Sequence, residues 1–289
     1  MHSKIILTVD VEDWFQVENL RSCIPFSAWN KYELRVEKNT HRLLDLFDSF
    51  LTETGGVSAT FFVLGWIAEK LPHLAREIHK RGHEVASHGY FHGLCTGRSA
   101  EDLKQELIRS KKFLEDTIGA QVFGYRAPSF SVSDKVLDIV RECGYLYDSS
   151  YNSFDINERY GQISLNSARK CGTGYEVLDN FYELPVSNLV LGKIVLPWAG
   201  GGYFRLVPFP LFRKGVQYIL EKNGAYVFYI HPWEIDHAQP RVENLPQFFK
   251  FRHYINLHKT FDRLRRLITG FDECQFVSCI AYLRSVAGI

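Results

Sequence analysis

Short apolar runs alternate with amphipathic stretches along most of this chain. Runs such as Ile5–Val9 are short and continuously apolar, which is typical of buried strands, whereas the longer stretches repeat apolar residues every three to four positions. Ser99 and Gly119 flank the longest amphipathic stretch as a helix N-cap and stop. The predicted strands are 5–9, 59–64, 84–87, 122–126, 182–186 and 226–230, and the predicted helices are 39–50, 67–81, 100–118, 133–143, 211–222 and 257–268. This alternation predicts an α/β fold with a parallel sheet or barrel and outer helices.

Polar side chains follow four of the predicted strands directly. They are Asp10, His88, Arg126 and His231. The carboxyl ends of parallel strands lie at one edge of a sheet or barrel, and this edge forms the ligand-binding rim in such folds. We therefore expect these four side chains to converge.

The length and composition are those of an ordinary α/β enzyme. With 289 residues, 46% of them hydrophobic and 23% charged, the chain is long enough to bury a large core. We expect a single domain over residues 1–289, with a core over about 4–235 and a C-terminal elaboration over about 236–289. The net charge of +1 disfavours nucleic acid or an anionic membrane as the main partner.

The sequence also carries expectations about localisation. The chain begins Met1-His2-Ser3-Lys4 and then enters an apolar run broken by Asp10, which does not resemble a signal peptide. No stretch approaches the ~18 apolar residues of a membrane span. The six cysteines are scattered without a Cys-x-x-Cys pair, as in proteins with reduced thiols. We therefore expect a cytoplasmic protein.

The first and third predicted strands are followed by potential metal ligands. His88 and His92 lie four residues apart, and Asp10, Glu12 and Asp13 follow the first strand. Two imidazoles and one carboxylate form a three-ligand divalent metal site that leaves positions open for water or substrate. In an extended segment Asp10 and Glu12 share a face, but if the chain has already turned, Asp13 joins Asp10 instead. Glu12 and Asp13 both remain candidates.

Two further residues suit supporting roles in hydrolysis. Arg126 precedes Ala127-Pro128, and its planar guanidinium is suited to holding a carboxylate in place. His231 ends an apolar strand, where an imidazole can act as a general acid.

Aromatic residues make up 15% of the chain, and several lie near predicted strand ends. Such rings can stack on the apolar faces of sugars, although a well-packed core would use them equally well. Backbone at Gly200–Gly202 could approach a substrate closely. The candidate substrate-binding residues are Trp14, Tyr125, Phe130, Trp198, Tyr203 and Trp233.

Taken in order, these segments resemble the motifs of the polysaccharide deacetylases of the NodB-homology group, carbohydrate esterase family four. The resemblance covers about residues 4–235. Within the family, the chain resembles a subgroup found among bacterial surface-polysaccharide and exopolysaccharide biosynthesis proteins. It implies a distorted (β/α) barrel of about seven strands. The segments that carry the resemblance are Thr8-Val9-Asp10, Ser87-His88 to His92, Arg126-Ala127-Pro128 and Ile230-His231, with Asp10-Val11-Glu12-Asp13-Trp14-Phe15, Gly200 to Arg205 and His231-Pro232-Trp233-Glu234 for the subgroup.

The resemblance also implies roles for individual residues. Asp10 would be the general base, His88 and His92 metal ligands, and His231 the general acid, while Arg126 would hold Asp10. The family usually has two adjacent aspartates where this chain has Asp10 and Val11, so the third metal ligand would be Glu12 or Asp13. The family's Asp-Trp segment has no clean match, so Asp148 becomes a candidate to orient His231. Zn²⁺ is the expected metal.

The expected function is a metal-dependent hydrolase that removes an N-acetyl group from an amino sugar and releases acetate. The substrate would be a nucleotide-linked sugar, a lipid-linked sugar or an oligosaccharide, and the sequence does not indicate an oligomeric state. One alternative is a metal-free amidohydrolase of the same superfamily that cleaves a linear or cyclic amide. The other is a non-catalytic carbohydrate-binding subunit.

Overall fold

A central sheet with helices packed around it forms the core of the computed structural model, which describes residues 2–52, 55–154 and 160–289. The strands are β1 (Lys4–Val11), β2 (Leu51–Thr52), β3 (Gly55–Gly56), β4 (Thr60–Val63), β5 (Glu84–Ser87), β6 (Gly124–Tyr125), β7 (Tyr147–Asp148), β8 (Arg169–Cys171), β9 (Gly174–Leu178), β10 (Phe181–Glu183), β11 (Asn188–Leu191), β12 (Ile194–Pro197), β13 (Ala225–Ile230) and β14 (Gln275–Val277). The α-helices are α1 (Val36–Asp48), α2 (Gly65–Lys70), α3 (Pro72–Lys80), α4 (Ala100–Ile118), α5 (Asp134–Glu142), α6 (Gly201–Leu206), α7 (Phe209–Asn223), α8 (Gln247–Tyr254), α9 (Leu257–Thr269) and α10 (Cys279–Ala287).

The main sheet has the order β13-β1-β4-β5-β6-β7-β10-β9-β8. The first seven strands of this path run parallel, and β9 and β8 continue it as antiparallel strands. The predicted α/β fold with about seven parallel strands is therefore confirmed. Within the described residues the strand pairings form an open path instead of a closed ring.

Strand β1 lies at the centre of this sheet. It pairs with β13 along one edge, while its other edge is shared between β14 near its start and β4 near its end. Its apolar residues are buried because both faces of the sheet are covered, which explains the continuous apolar run in the sequence. The segment after residue 235 therefore contributes a strand, β14, to the central sheet, a feature absent from the predicted elements.

The helix predictions succeed where the local signals are strong. Ser99 caps α4 by accepting a hydrogen bond from the Asp102 amide, and Gly119 ends the helix with φ 69°. The single helix predicted over 67–81 is wrong, because the chain forms α2 and α3 with a break at Leu71. Pro72 begins α3, where its missing N–H costs nothing, and it disfavours helical geometry at the residue before it.

The carboxyl ends of four parallel strands bring the polar residues to one edge. Strand β1 ends beside Glu12, β5 ends before His88, β6 before Arg126 and β13 before His231. Along the described residues no helix is long and apolar enough to cross a bilayer.

The close packing of β6 on β7 generates one prediction about stability. A Cβ placed on Gly124 would overlap the buried ring of Tyr147, whose hydroxyl donates a hydrogen bond to Glu84 (2.8 Å). Gly124→Ala should therefore destabilise the protein by about 1–3 kcal/mol through overpacking. Gly56→Ala is the matched control, because a Cβ there meets no atom within 4 Å. Thermal unfolding of both variants checks this, and equal midpoints would contradict it.

Candidate active site

Glu12, His88 and His92 form a buried cluster at the carboxyl edge of the sheet. Glu12 Oε1 lies 3.1 Å from His88 Nε2 and 2.9 Å from His92 Nε2, and all three side chains are less than a twentieth exposed. One ligand atom from each residue lies within 4.8 Å of the other two. The structure thus joins a carboxylate after β1 to two imidazoles after β5.

The hydrogen bond that His88 makes to the backbone determines its tautomer, and so which ring nitrogen carries a lone pair. Its Nδ1 lies 2.8 Å from the carbonyl oxygen of Arg126, which can only accept, so Nδ1 carries a proton. In the neutral imidazole, Nε2 is then an acceptor that points at the Glu12 carboxylate, which is also an acceptor. A cation between them, either a proton or a metal ion, is needed to make this arrangement favourable.

The electrostatics of the cluster favour a charged carboxylate. Burial alone would raise the pKa of Glu12, but His92, His231 and His88 lower it well below its ordinary value. Glu12 is therefore an anion across the physiological range, as a metal ligand must be.

The chain after β5 turns sharply to bring both histidines to Glu12. Gly89 has φ 73° and His92 has φ 51°, both in the left-handed region. Gly89 adopts this conformation without penalty, whereas a non-glycine residue there costs on the order of 1 kcal/mol. The strain at His92 is consistent with a conformation held for function.

Asp10 lies beside this cluster and is held by Arg126. Arg126 Nη1 donates to Asp10 Oδ1 (2.7 Å) and to Thr8 Oγ1 (2.7 Å), while its Nε and Nη2 donate to the backbone and side chain of Ser149. Arg126 is fully buried and cannot move to other partners. The second oxygen of Asp10, Oδ2, lies 3.9 Å from His231 Nε2 and faces the cluster.

Asp13, the other acid that the sequence left open, lies elsewhere. Its carboxylate accepts hydrogen bonds from the backbone amides of Trp14 (2.8 Å), Arg35 (2.6 Å) and Val36 (2.9 Å). Burial raises its pKa to about 6, although these amide bonds act in the opposite direction. Asp13 thus caps the start of α1 from a distant point in the sequence, and Glu12 is the acid that contacts the imidazoles.

His231 faces the cluster from β13 and is oriented by Glu234, not by Asp148. Glu234 Oε1 accepts from His231 Nδ1 (2.8 Å), and Glu234 Oε2 accepts from Arg205 Nε (2.7 Å). The Asp148 carboxylate instead accepts from the amide and hydroxyl of Ser150 (both 2.8 Å). Glu234 and Arg205 were not predicted as site residues, although both lie in segments that carry the subgroup resemblance. The three-residue spacing between His231 and Glu234 could have indicated their contact, because the short 3₁₀ turn Pro232–Ile235 brings the two side chains together.

The charges around His231 favour its protonated form. Burial lowers the pKa of His231, but Glu12, Glu234 and Asp10 outweigh it and raise the value to about 9. For the Glu234 carboxyl, burial acts to raise the pKa, but Arg205 and His231 outweigh burial and lower the pKa below its ordinary value. Arg205, Glu234 and His231 therefore form a chain of alternating charge that ends at the cluster.

A cavity opens over these groups, and only some of the candidate aromatic residues reach it. Phe130 and Trp233 line the cavity, together with Tyr160 and Tyr229, which sequence reasoning missed. The other candidates pack elsewhere: Trp14 against Phe15 and Tyr32, Tyr125 against Cys95 and Tyr145, Trp198 against Phe212, and Tyr203 outside the cavity lining. The core, and not a sugar subsite, accounts for Trp14, Tyr125 and Trp198.

Comparisons with known proteins divide the chain into two parts. Residues 28–147 match the family model described as polysaccharide deacetylase, and residues 149–284 match a domain of unknown function, DUF3473. His88, His92 and Arg126 lie in the first part, and His231, Glu234 and Arg205 in the second. Asp10 and Glu12 precede both matches.

Individual relatives agree with the first match. The chain is 30% identical over 106 residues to a peptidoglycan-N-acetylglucosamine deacetylase of Bacillus cereus, covering 37% of this chain and 47% of that protein. It is 24% identical over 173 residues to chitin deacetylase 1 of Cryptococcus neoformans, covering 52% of this chain and 37% of the relative. The chain thus spans less than half the length of these relatives.

A solved structure shows the same fold along the whole chain. A Mycobacterium smegmatis protein, described as a candidate polysaccharide deacetylase, superposes with a TM-score of 0.62 at 20% identity, covering 99% of this chain and 90% of the other.

The packing of Gly201 on Glu234 generates a prediction with a neighbouring control. A Cβ on Gly201 would overlap the Glu234 carboxylate, whereas a Cβ on Gly202 meets no atom within 4 Å. Gly201→Ala should displace the buried Glu234–Arg205 pair and lower the thermal unfolding midpoint by several degrees, since breaking such a pair costs about 3–5 kcal/mol. Gly202→Ala should stay near the wild-type midpoint. A normal midpoint for Gly201→Ala would show that Glu234 relaxes freely.

Proposed function

We propose, on the premise that residues 28–147 belong to the polysaccharide deacetylase family of the NodB-homology type, that this protein hydrolyses the N-acetyl group of an amino sugar and releases acetate. The observation that carries the proposal is the placement of a held carboxylate, Asp10, and an imidazole, His231, beside a buried Glu12–His88–His92 cluster. Amide hydrolysis needs a proton acceptor for water and a proton donor for the leaving amine, and these two groups lie beside the cluster.

Glu12, His88 and His92 would hold a divalent metal ion. Two imidazole nitrogens and one carboxylate oxygen are the donor set of many catalytic zinc sites, and their mutually facing acceptor atoms fit a cation. Zn²⁺ is the metal we propose. When bound, it would supply a Lewis acid that polarises the acyl group and lowers the pKa of water from 15.7 toward about 7.

Asp10 would act as the general base. Arg126 donates hydrogen bonds to both Thr8 Oγ1 and Asp10 Oδ1, which holds Asp10 in place. Because Oδ1 is engaged, Oδ2 would accept the proton of the attacking water. The Arg126 contact also prevents the rotation of Asp10 away from the cluster.

His231 would act as the general acid. Its Nδ1 proton is donated to Glu234, and the Nε2 proton faces the site, 3.5 Å from Glu12 Oε1 and 3.9 Å from Asp10 Oδ2. Transfer of the Nε2 proton to the departing nitrogen gives a free amino sugar. Water supplies the hydroxyl of acetate, so the reaction consumes one water and produces acetate and amine.

The region matching the domain of unknown function would thus complete the active site. His231, Glu234 and Arg205 all lie between residues 149 and 284. His231 approaches Asp10 and Glu12, Glu234 pairs with His231, and Arg205 pairs with Glu234. A segment over 28–147 alone would carry the two histidines without the general acid or the acids of β1.

Acetate release tests the proposal directly. The protein, supplied with Zn²⁺, should release acetate from at least one of three probes: an N-acetylglucosamine oligosaccharide, UDP-N-acetylglucosamine or a lipid-linked N-acetyl sugar. Asp10→Asn should lower the rate by about 10²–10⁴-fold, because it removes the proton acceptor. Asp138→Asn is the control, since Asp138 is exposed on α5 and is not among the residues that line the cavity.

Three outcomes would change the conclusion. Normal turnover by Asp10→Asn would remove Asp10 from the base role. Activity that survives complete chelation in a metal-free preparation would favour the metal-free amidohydrolase, and binding of sugar without release of acetate would favour a carbohydrate-binding subunit.

A further inference from the structure

Helix α8 places an arginine, Arg252, at the edge of the catalytic cavity. Arg252 lines this cavity and is half-buried. Among the residues that the structure describes, its guanidinium donates no hydrogen bond and forms no ion pair. The other two arginines beside the site are each paired with an acid, Arg126 with Asp10 and Arg205 with Glu234.

The backbone that carries Arg252 is held firmly. Arg205 donates to the carbonyl oxygens of Arg252 (3.2 Å), His253 (2.8 Å) and Ile255 (2.8 Å), which joins the end of α8 to Glu234. The ring of His253 stacks on Trp233, with centroids 4.4 Å apart and planes 7° from parallel. The backbone at Arg252 is therefore fixed beside the groups proposed to act in catalysis, and the side chain of Arg252 extends from it to the cavity.

The neighbours of Arg252 are hydrogen-bond donors without protein acceptors. Its charge acts on Tyr203 and Tyr229, where it opposes the larger effect of burial, which raises the pKa of both phenols. Within the described residues, neither phenol hydroxyl donates a hydrogen bond to the protein. Of these residues, Arg252 and Tyr229 line the cavity. A guanidinium and a phenol at one cavity suit a ligand that is rich in acceptors and negatively charged.

In the described part of the chain, the acids that line the cavity have partners other than Arg252. Asp10 is engaged by Arg126, Glu234 by Arg205, and Glu12 by the imidazoles. Glu18, at the rim, pairs with Arg21 (3.2 Å). Among the described residues that line the cavity, Arg252 is thus an arginine that an incoming ligand can engage.

We infer that Arg252, with Tyr229 beside it, binds an acidic group carried by the substrate close to the scissile N-acetyl group. The inference rests on the proposed deacetylase function and adds to it a substrate class, an anionic N-acetyl sugar. The group that Arg252 would bind is an oxyanion. Either the carboxylate of an acidic sugar or the phosphate of a nucleotide or lipid carrier would provide it.

Substrate competition distinguishes this inference from a structural role. Three probes carry the same N-acetylglucosamine unit or a close relative: chitopentaose is neutral, UDP-N-acetylglucosamine has a diphosphate, and a disaccharide ending in N-acetylmuramic acid has a carboxylate. The wild-type protein should prefer one anionic probe, and the anionic probe that it prefers identifies the source of the oxyanion. Arg252→Ala should lower the ratio of kcat/KM for that probe over chitopentaose by roughly 10- to 100-fold, the value of a charged hydrogen bond.

Two further variants make the outcome specific. Arg252→Lys retains charge without the planar fork and should recover part of the ratio. Arg241→Ala removes an exposed arginine of the same segment, which lies over Tyr254, and should keep the wild-type ratio. An unchanged ratio in Arg252→Ala, or a wild-type protein that prefers the neutral probe, overturns the inference.

Calorimetric binding separates this inference from the catalytic proposal. If no probe releases acetate, the deacetylase proposal fails. Titration of the same three probes into wild type and Arg252→Ala still measures whether Arg252 contributes to binding of the anionic probes. Weaker binding of only the anionic probes to Arg252→Ala supports the subsite. Equal binding of all three probes to both proteins overturns it.

Discussion

A buried carboxylate that faces two imidazole nitrogens is the constraint on which the site depends. Glu12 Oε1 lies within 3.1 Å of the Nε2 atoms of both His88 and His92, and the hydrogen bond from His88 Nδ1 to the Arg126 carbonyl leaves the lone pair of His88 Nε2 facing the carboxylate. Burying an uncompensated charge costs several kcal/mol. The folded chain therefore holds a position suited to a cation, with Asp10 and His231 close beside it.

The parallel sheet explains why residues so far apart in sequence meet there. Strands β1, β5, β6 and β13 point the same way, so the residues that follow them share one edge. Arg126 links two of these strands through Thr8 and Asp10, and its guanidinium also lies over the ring of Phe62 at 4.1 Å. The geometry of the site is thus a consequence of sheet topology, while its chemistry comes from residues on both sides of the boundary near residue 148.

Local sequence signals predicted much of this arrangement. Strand ends are visible as polar residues after apolar runs, and the cap and stop of α4 need only Ser99 and Gly119. The two acids after β1 could not be assigned in this way. Asp13 caps α1 across more than twenty residues of chain, and no local pattern reveals such a contact. Likewise, Trp14 and Trp198 are aromatic for reasons of packing, and sequence alone does not separate core rings from rings that line a cavity.

Glu234 shows a different limit. Its spacing from His231 was visible, but its role depends on the 3₁₀ turn that folds it back and on Arg205, which keeps it charged. The roles of the site residues after position 149 therefore become visible only in the folded structure, where His231 lies against the residues at the end of β1. This dependence also links Arg252 to the cavity, since Arg205 fixes both Glu234 and the end of α8.

Titration of Zn²⁺ into metal-stripped protein shows whether Glu12, His88 and His92 together hold a divalent cation. We expect the wild type to bind one equivalent tightly, and Glu12→Gln and His92→Ala to bind with at least tenfold lower affinity. Glu37→Gln changes an acid on α1 outside the cluster and should keep the wild-type stoichiometry. Stoichiometric binding that is unaffected by Glu12→Gln, or no binding by the wild type, would contradict this expectation.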